Sequence, residues 1–202
     1  MTTTNEGAET VKGSHVAQAM RWVDERLGPN TFKEKATAID GVRWGLILPG
    51  SWYSVDVLLA VLRRTCTQVD VSVEDATTEI ARLNAESDLT SMYRFFMRIA
   101  QPQRVLSFTP KLWRTYVSFG DSSALTNDKG HYVGQGEGFR EDHVDWVCGC
   151  WRGFIPAAIE LAGGTVERST ILKRWRMPNG RYAVQFEASY REGRTRRVAA
   201  VP

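Results

Sequence analysis

The stretch that most constrains this sequence is Pro178-Asn179-Gly180, which separates two runs of alternating side chains, 165–177 and 181–190. Proline presets one backbone angle and glycine accepts a positive φ, so a tight reversal joins the runs and makes them a β-hairpin. In the second run Val184, Phe186, Ala188 and Tyr190 share one face. Upstream, Val144, Val147, Cys148, Trp151, Ile155, Ala158 and Ile159 recur at helical spacing until Gly163-Gly164 ends the pattern. Pro156 is expected to kink this helix, since it lacks an N–H and crowds the preceding turn. The segment 146–190 therefore predicts a packed helix feeding a hairpin.

The rest of the chain reads mainly as helices. Val16, Ala19, Met20, Val23 and Leu27 place a first helix over 14–27, stopped by Gly28-Pro29. Thr31 and Glu34 form a capping box for a shorter one. An apolar segment, Trp44 to Leu48, ends at Pro49-Gly50. Ser54 caps a helix carrying Val55, Leu58, Leu59, Leu62 and Cys66; Ser72 with Asp75 opens another, with Val73, Ala76, Ile80 and Leu83 inward. Asp88 is expected to start a further helix through Leu89, Met92, Phe96 and Ile99 to Pro102. Thr109-Pro110 opens the next, with Leu112, Trp113 and Tyr116. Residues 120–138, with five glycines, predict a loop and one irregular strand. The expected class is α+β, an N-terminal helical layer packed on a small antiparallel sheet that ends in a β-hairpin. With 202 residues the chain suits one core. The expected division is a disordered stretch over 1–12, a single α+β domain over 13–190 and a basic flexible tail over 191–202.

Charge and cysteine usage narrow the function classes. The net charge is +3, but Lys173, Arg174, Arg176, Arg181, Arg191, Arg194, Arg196 and Arg197 crowd the C-terminus. Such a cluster either attracts polyanions or forms the solvated face of a hairpin. No recognition helix or RNA-binding aromatic motif accompanies it, so nucleic acid is not the expected partner. No apolar run approaches the roughly 20 residues of a membrane span, and residues 1–13 lack the apolar centre of a signal peptide. A cytoplasmic location is expected. The three cysteines, an odd number, fit a reducing compartment and read as buried free thiols.

No motif fixes a reaction. Gly134-x-Gly136-x-Gly138 lacks the helix N-terminus that a phosphate loop requires and reads as a flexible strand or bulge. Cys148 and Cys150, with His143 and Asp145 nearby, invite a metal, but helical residues two apart diverge by roughly 200°. No metal or other cofactor is expected. Glu141 and Asp142 are adjacent and read as a solvated turn. A small cysteine-dependent enzyme using Cys148 or Cys150 with His143 is the alternative function. The aromatic side chains carry more: Trp113, Tyr116, Phe119, Trp146, Trp151 and Phe154 fall on elements that meet between helices and sheet. They either fill a core or line an apolar pocket. Trp113, Tyr116, Trp146, Trp151 and Phe154 are the candidate ligand-binding residues, placed between the helix of 146–162, that of 110–117 and the sheet.

The order of elements resembles a known superfamily. A helical half with Trp52-Tyr53 ahead of a helix is followed by Tyr93-Arg-Phe-Phe, Trp113 and a glycine-rich strand. Then come Cys150-Trp151-x-Gly153-Phe154, Glu160-Leu161-Ala-Gly163-Gly164 and a terminal hairpin. Over roughly residues 13–190 this resembles the superfamily of haem-NO-binding domains, 4-vinyl-reductase-type domains and TRAPP vesicle-tethering subunits. Within it, the chain is most similar to a paralogous bacterial family of the myxobacterial type. The resemblance implies helices packed on a small antiparallel sheet. It also implies a non-enzymatic regulatory role: a sensor of a small apolar ligand, or an adaptor that dimerises or engages a protein partner through its helices. The haem-binding branch carries a Tyr-x-Ser-x-Arg motif; Tyr190-Arg-Glu-Gly-Arg194 lacks the serine, so haem is not carried over. Cys66 is only loosely comparable with the acylated cysteine of one TRAPP subunit class, and that modification is not carried over either.

Overall fold

A computed structural model describes residues 8–91 and 101–193. The chain opens with β1 (Thr10–Lys12), which leads directly into α1 (Gly13–Leu27) and then α2 (Thr31–Asp40). β2 (Trp52–Ser54) pairs antiparallel with β1, Val11 lying opposite Tyr53. Residues 10–12, expected in a disordered terminus, are thus a strand. Their partner lies far along the chain, so nothing local announces the pairing. The loop between α2 and β2 holds the apolar segment, and its Leu46 is 82% exposed.

The helices that follow keep the expected periods with local corrections. α3 (Val55–Val69) is capped by Ser54, whose Oγ accepts from the Val57 N–H. α4 (Val73–Ser91) is capped by Ser72, which accepts from the Asp75 N–H while its hydroxyl donates to the Asp75 carboxylate. Thr31 and Glu34 do not form a capping box. Asp24 of α1 reaches over instead and accepts from the N–H groups of Asn30 and Phe32. No helix starts at Asp88, because α4 runs through it to Ser91; Met92, Phe96 and Ile99 lie outside the described residues. α5 (Pro102–Ser107) and α6 (Thr109–Tyr116) complete the layer.

The sheet has four antiparallel strands in the order β3-β4-β6-β5: β3 (Asp121–Asp128), β4 (His131–Phe139), β5 (Thr165–Arg176) and β6 (Tyr182–Arg191). Residues 120–138 form a complete hairpin rather than a loop and one strand. Serine, asparagine and aspartate dominate β3, and glycine alternates through β4, so neither strand carries the apolar alternation that betrays one. Gly130, at φ 85°, makes the turn, and Gly138, also at φ 85°, sits at the register shift between Glu137 and Phe139. The β5–β6 turn closes as expected: the Met177 N–H donates to the Arg181 carbonyl around Gly180, at φ 81°. Val184, Phe186, Ala188 and Tyr190 are all buried on one face of β6. β5 is an edge strand whose Arg168, Lys173, Arg174 and Arg176 discourage further pairing.

Between sheet and helices runs α7 (Val144–Leu161), entered through a 3-10 turn (Glu141–His143). It continues through Pro156 as one helix. Two glycines set its depth against α4. A Cβ at Gly149 would lie 2.5 Å from the Glu74 carbonyl oxygen, and one at Gly153 only 2.1 Å from that of Thr78. Backbone therefore meets backbone along this helix pair, an approach open only to glycine.

Candidate functional site

The aromatic side chains of α6 and α7 interlock above the sheet. Gly136 admits Trp151, since a Cβ there would stand 2.8 Å from the indole ring. Trp151 meets Phe186 edge to face at 6.4 Å and Trp113 at 6.2 Å. Trp113 contacts Phe139 at 5.6 Å and Trp146 at 6.2 Å, and its Nε1 donates to the Phe119 carbonyl at 3.1 Å.

On the helix side of these rings lies a cavity of about 70 Å³. Trp113, Tyr116, Trp146, Trp151 and Phe154 all line it, so the five residues selected from the sequence face one space. The opposite wall differs from the expected one. It is made by Ala81, Asn84 and Asp88 of α4 and His15 of α1, and no described strand residue takes part.

His15 and Asn84 are the polar pair that sequence reasoning missed. The Asn84 amide nitrogen lies 2.9 Å from His15 Nδ1. Donation from that amide makes Nδ1 the acceptor and leaves the ring proton on Nε2. Burial pushes the His15 pKa down to about 4, so the ring is neutral near pH 7. The signal was helical spacing: His15 stands at i−4 and i−8 from Ala19 and Val23, and Asn84 at i+4 from Ile80. Two further polar pairs stand at the lining. Tyr116 hydrogen-bonds Asp88, whose carboxyl burial holds above its ordinary range. Thr109 hydrogen-bonds Tyr132, whose hydroxyl burial pushes up to about 12.

A second polar cluster ties the N-terminal segment to the sheet. The His143 side chain is fully buried; its Nδ1 lies 3.1 Å from Glu9 and its Nε2 3.4 Å from Asp56. Arg140 bridges Asp56 at 2.9 Å and Asp142 at 2.7 Å, and Arg181 reaches Glu9 at 2.8 Å. Asp56, Asp142 and His143 place one potential metal ligand each within 4.8 Å of one another. The Arg140 guanidinium already neutralises both carboxylates, so the cluster reads as an ion-pair network. Burial lowers the His143 pKa against the opposing pull of Asp142, Glu9 and Asp56.

This geometry removes the Cys–His pairing raised by the sequence. His143 faces carboxylates through both nitrogens, with no thiol among these partners. Cys150 lines the cavity, whereas Cys148 lies near Arg174 and Glu74, as their helical divergence requires. Burial pushes the Cys148 thiol up to about 12 and Cys150 well above its ordinary value, so neither is a ready thiolate. The basic cluster is also largely neutralised: Arg174 pairs with Glu74 and Asp145, Arg181 with Glu9 and Arg191 with Glu167. Arg194, Arg196 and Arg197 lie outside the described residues. No described helix is long and apolar enough to cross a membrane.

No family model and no curated protein sequence matches the chain. Solved structures do. An oxygen-binding H-NOX domain related to soluble guanylate cyclases, solved as its oxygen complex, is similar at TM-score 0.64 and 11% identity, over 89% of this chain and 94% of that one. A mutant T. Tengcongensis H-NOX is similar at TM-score 0.67 and 12% identity, over 89% and 97% respectively. A Cs H-NOX mutant gives 0.67 and 12%, over 89% and 96%. The chain thus has an H-NOX-like α+β fold.

Proposed function

We propose that this chain is a non-enzymatic regulatory domain that senses a small apolar molecule in the cavity bounded by α1, α4, α6 and α7. The observation that carries the reading is convergence: five aromatic side chains from two helices face one apolar space, and the polar residues that share it do not read as a reacting group, His15 being neutral, Cys150 a thiol and Asp88 bonded to Tyr116. The fold adds an analogy, since one similar structure is an oxygen-binding domain.

The described residues do not fit a haem. Haem iron is held by histidine, thiolate, methionine or tyrosinate. Around this cavity His15 Nε2 carries the proton, Cys150 remains a thiol and Tyr116 is bonded to Asp88. The volume of about 70 Å³ is also far below the roughly 300–1,000 Å³ typical of cofactor sites. The ligand class that suits it is a molecule of a few heavy atoms. Placement nearer the 4-vinyl-reductase-type and TRAPP-like branches, and in the paralogous myxobacterial-type family, rests on the Trp151, Gly153 and Gly163-Gly164 motif.

A second reading, a dimerising adaptor, draws on one surface feature. Val42, Leu46 and Leu48 are 62%, 82% and 51% exposed on a single loop. Native mass spectrometry with thermal melts in cyclopentane-saturated buffer tests both readings. Cyclopentane is expected to raise Tm by a few degrees, and a dimer mass would support the adaptor. A monomer whose melt ignores cyclopentane would remove both.

A further inference from the structure

Three residues of the cavity lining carry ring nitrogens with no hydrogen-bond acceptor among the described residues. His15 Nε2, Trp146 Nε1 and Trp151 Nε1 are each shut off from solvent and without a hydrogen-bond partner, and all three belong to residues that line this one space. A buried polar group left unpaired costs about 1–3 kcal/mol, so three around one cavity are not a neutral feature of packing. His15 and Trp146 stand edge to face with centroids 5.4 Å apart, which puts two of the donors on adjacent rings of one wall. Of the polar groups nearby, Asp88 takes the Tyr116 hydroxyl, and His15 Nδ1 takes the Asn84 amide. That last bond also fixes the orientation and proton position of His15, so that Nε2 can only donate.

Resting on the reading of this cavity as a ligand site, we infer that its ligand is a small apolar molecule carrying one oxygen acceptor, a carbonyl or ether, received by the His15 Nε2–H with Trp146 alongside. A hydrocarbon would fill the space and leave the donors orphaned. A carboxylate would bring a charge into a wall that has no cation among its described residues. The site is thus selective by the polarity of a single atom, in the way that unpaired buried groups reject an analogue lacking the matching partner.

The test uses the shape-matched pair cyclopentane and cyclopentanone, with the imidazole and indole nitrogens read by ¹⁵N NMR; the sequence has only three histidines. Both probes are expected to move the Trp113, Trp146 and Trp151 indole signals, but only the ketone is expected to move His15 Nε2. His15→Phe should weaken cyclopentanone by roughly five- to tenfold, the worth of one hydrogen bond, and leave cyclopentane within about twofold. The NMR readout on the unaltered chain stands even where that variant folds poorly. Indole shifts with both probes but a silent His15, or equal losses for both in His15→Phe, would overturn the polar anchor and leave the apolar cavity intact. Indifference of all the indoles to both probes would overturn the ligand site itself.

Discussion

The chain buries two histidines in opposite ways, and the contrast separates the part that holds the fold from the part that is open to a guest. His143 is enclosed by Glu9, Asp56 and Asp142, with Arg140 and Arg181 closing the charge balance. Its partners come from the segment before β1, from α3 and from its own turn, so the ring fastens pieces distant in sequence. His15 has one partner, Asn84, and a free Nε2 among aromatic rings. One environment is charged and the other apolar. Balanced charge marks a structural joint; a donor without a partner among apolar rings marks a place that can receive a guest.

The contrast can be broken or sharpened by measurement. Trp146→Ala should have the largest effect, destabilising the chain by about 4 kcal/mol in urea unfolding, because it removes a side chain buried to 1% at the centre of the ring cluster. It should at the same time enlarge the cavity and strengthen cyclopentane binding, a gain in one function at a loss in stability. His143→Ala should cost about 3 kcal/mol, because it empties the space of a fully buried ring and Phe119 loses a ring neighbour at 5.1 Å. His15→Phe should cost less than half of that; equal losses would erase the distinction between joint and site.

Acid provides the next test. The folded pKa of His15, about 4, lies below its ordinary value of 6.5. The unfolded chain therefore binds the proton first, and stability is full above about pH 6.5 and lost as pH falls towards 4, by about 1 kcal/mol per pH unit. The shift at His143 has the same sign, so His15→Phe should remove only part of the acid slope. Denaturation midpoints at pH 7, 6, 5 and 4 would show it; an unchanged slope in that variant would assign the whole effect to His143. The smallest effect expected is Ser54→Ala, about 1 kcal/mol from the loss of a helix cap, with no change in binding of either cyclic probe.

The two regions were also unequally legible in the sequence. Trp113, Tyr116, Trp146, Trp151 and Phe154 could be named in advance because helical period and aromatic size place them inward, and they do face one cavity. His15 and Asn84 could not, because a lone polar residue at core spacing looks the same whether its partner is a neighbour or a ligand. The His143 network was equally hidden: Glu9, Asp56 and Asp142 are ordinary surface residues until the topology brings them together. Among the strands, β5 and β6 announced themselves through an alternating pattern and a turn. The β3–β4 pair did not, since its glycines serve other residues, Gly136 making room for the rings of Phe139 and Trp151. A residue that acts by being small leaves no pattern of its own.

The contact of α4 with α7 at Gly149 and Gly153 sets how this cavity can respond. Main chain touches main chain there, so no flexible side chain cushions the two helices and they cannot slide or separate without losing that fit. Both helices contribute to the cavity, which therefore has one stiff wall. A guest that needs more room must push on α1 or α6. Of these, α1 continues from β1, whose Val11 bridges Val117 at the end of α6. A shift of α1 or of the end of α6 would therefore strain the same bridge, and with it the two-stranded ribbon at the N-terminal edge.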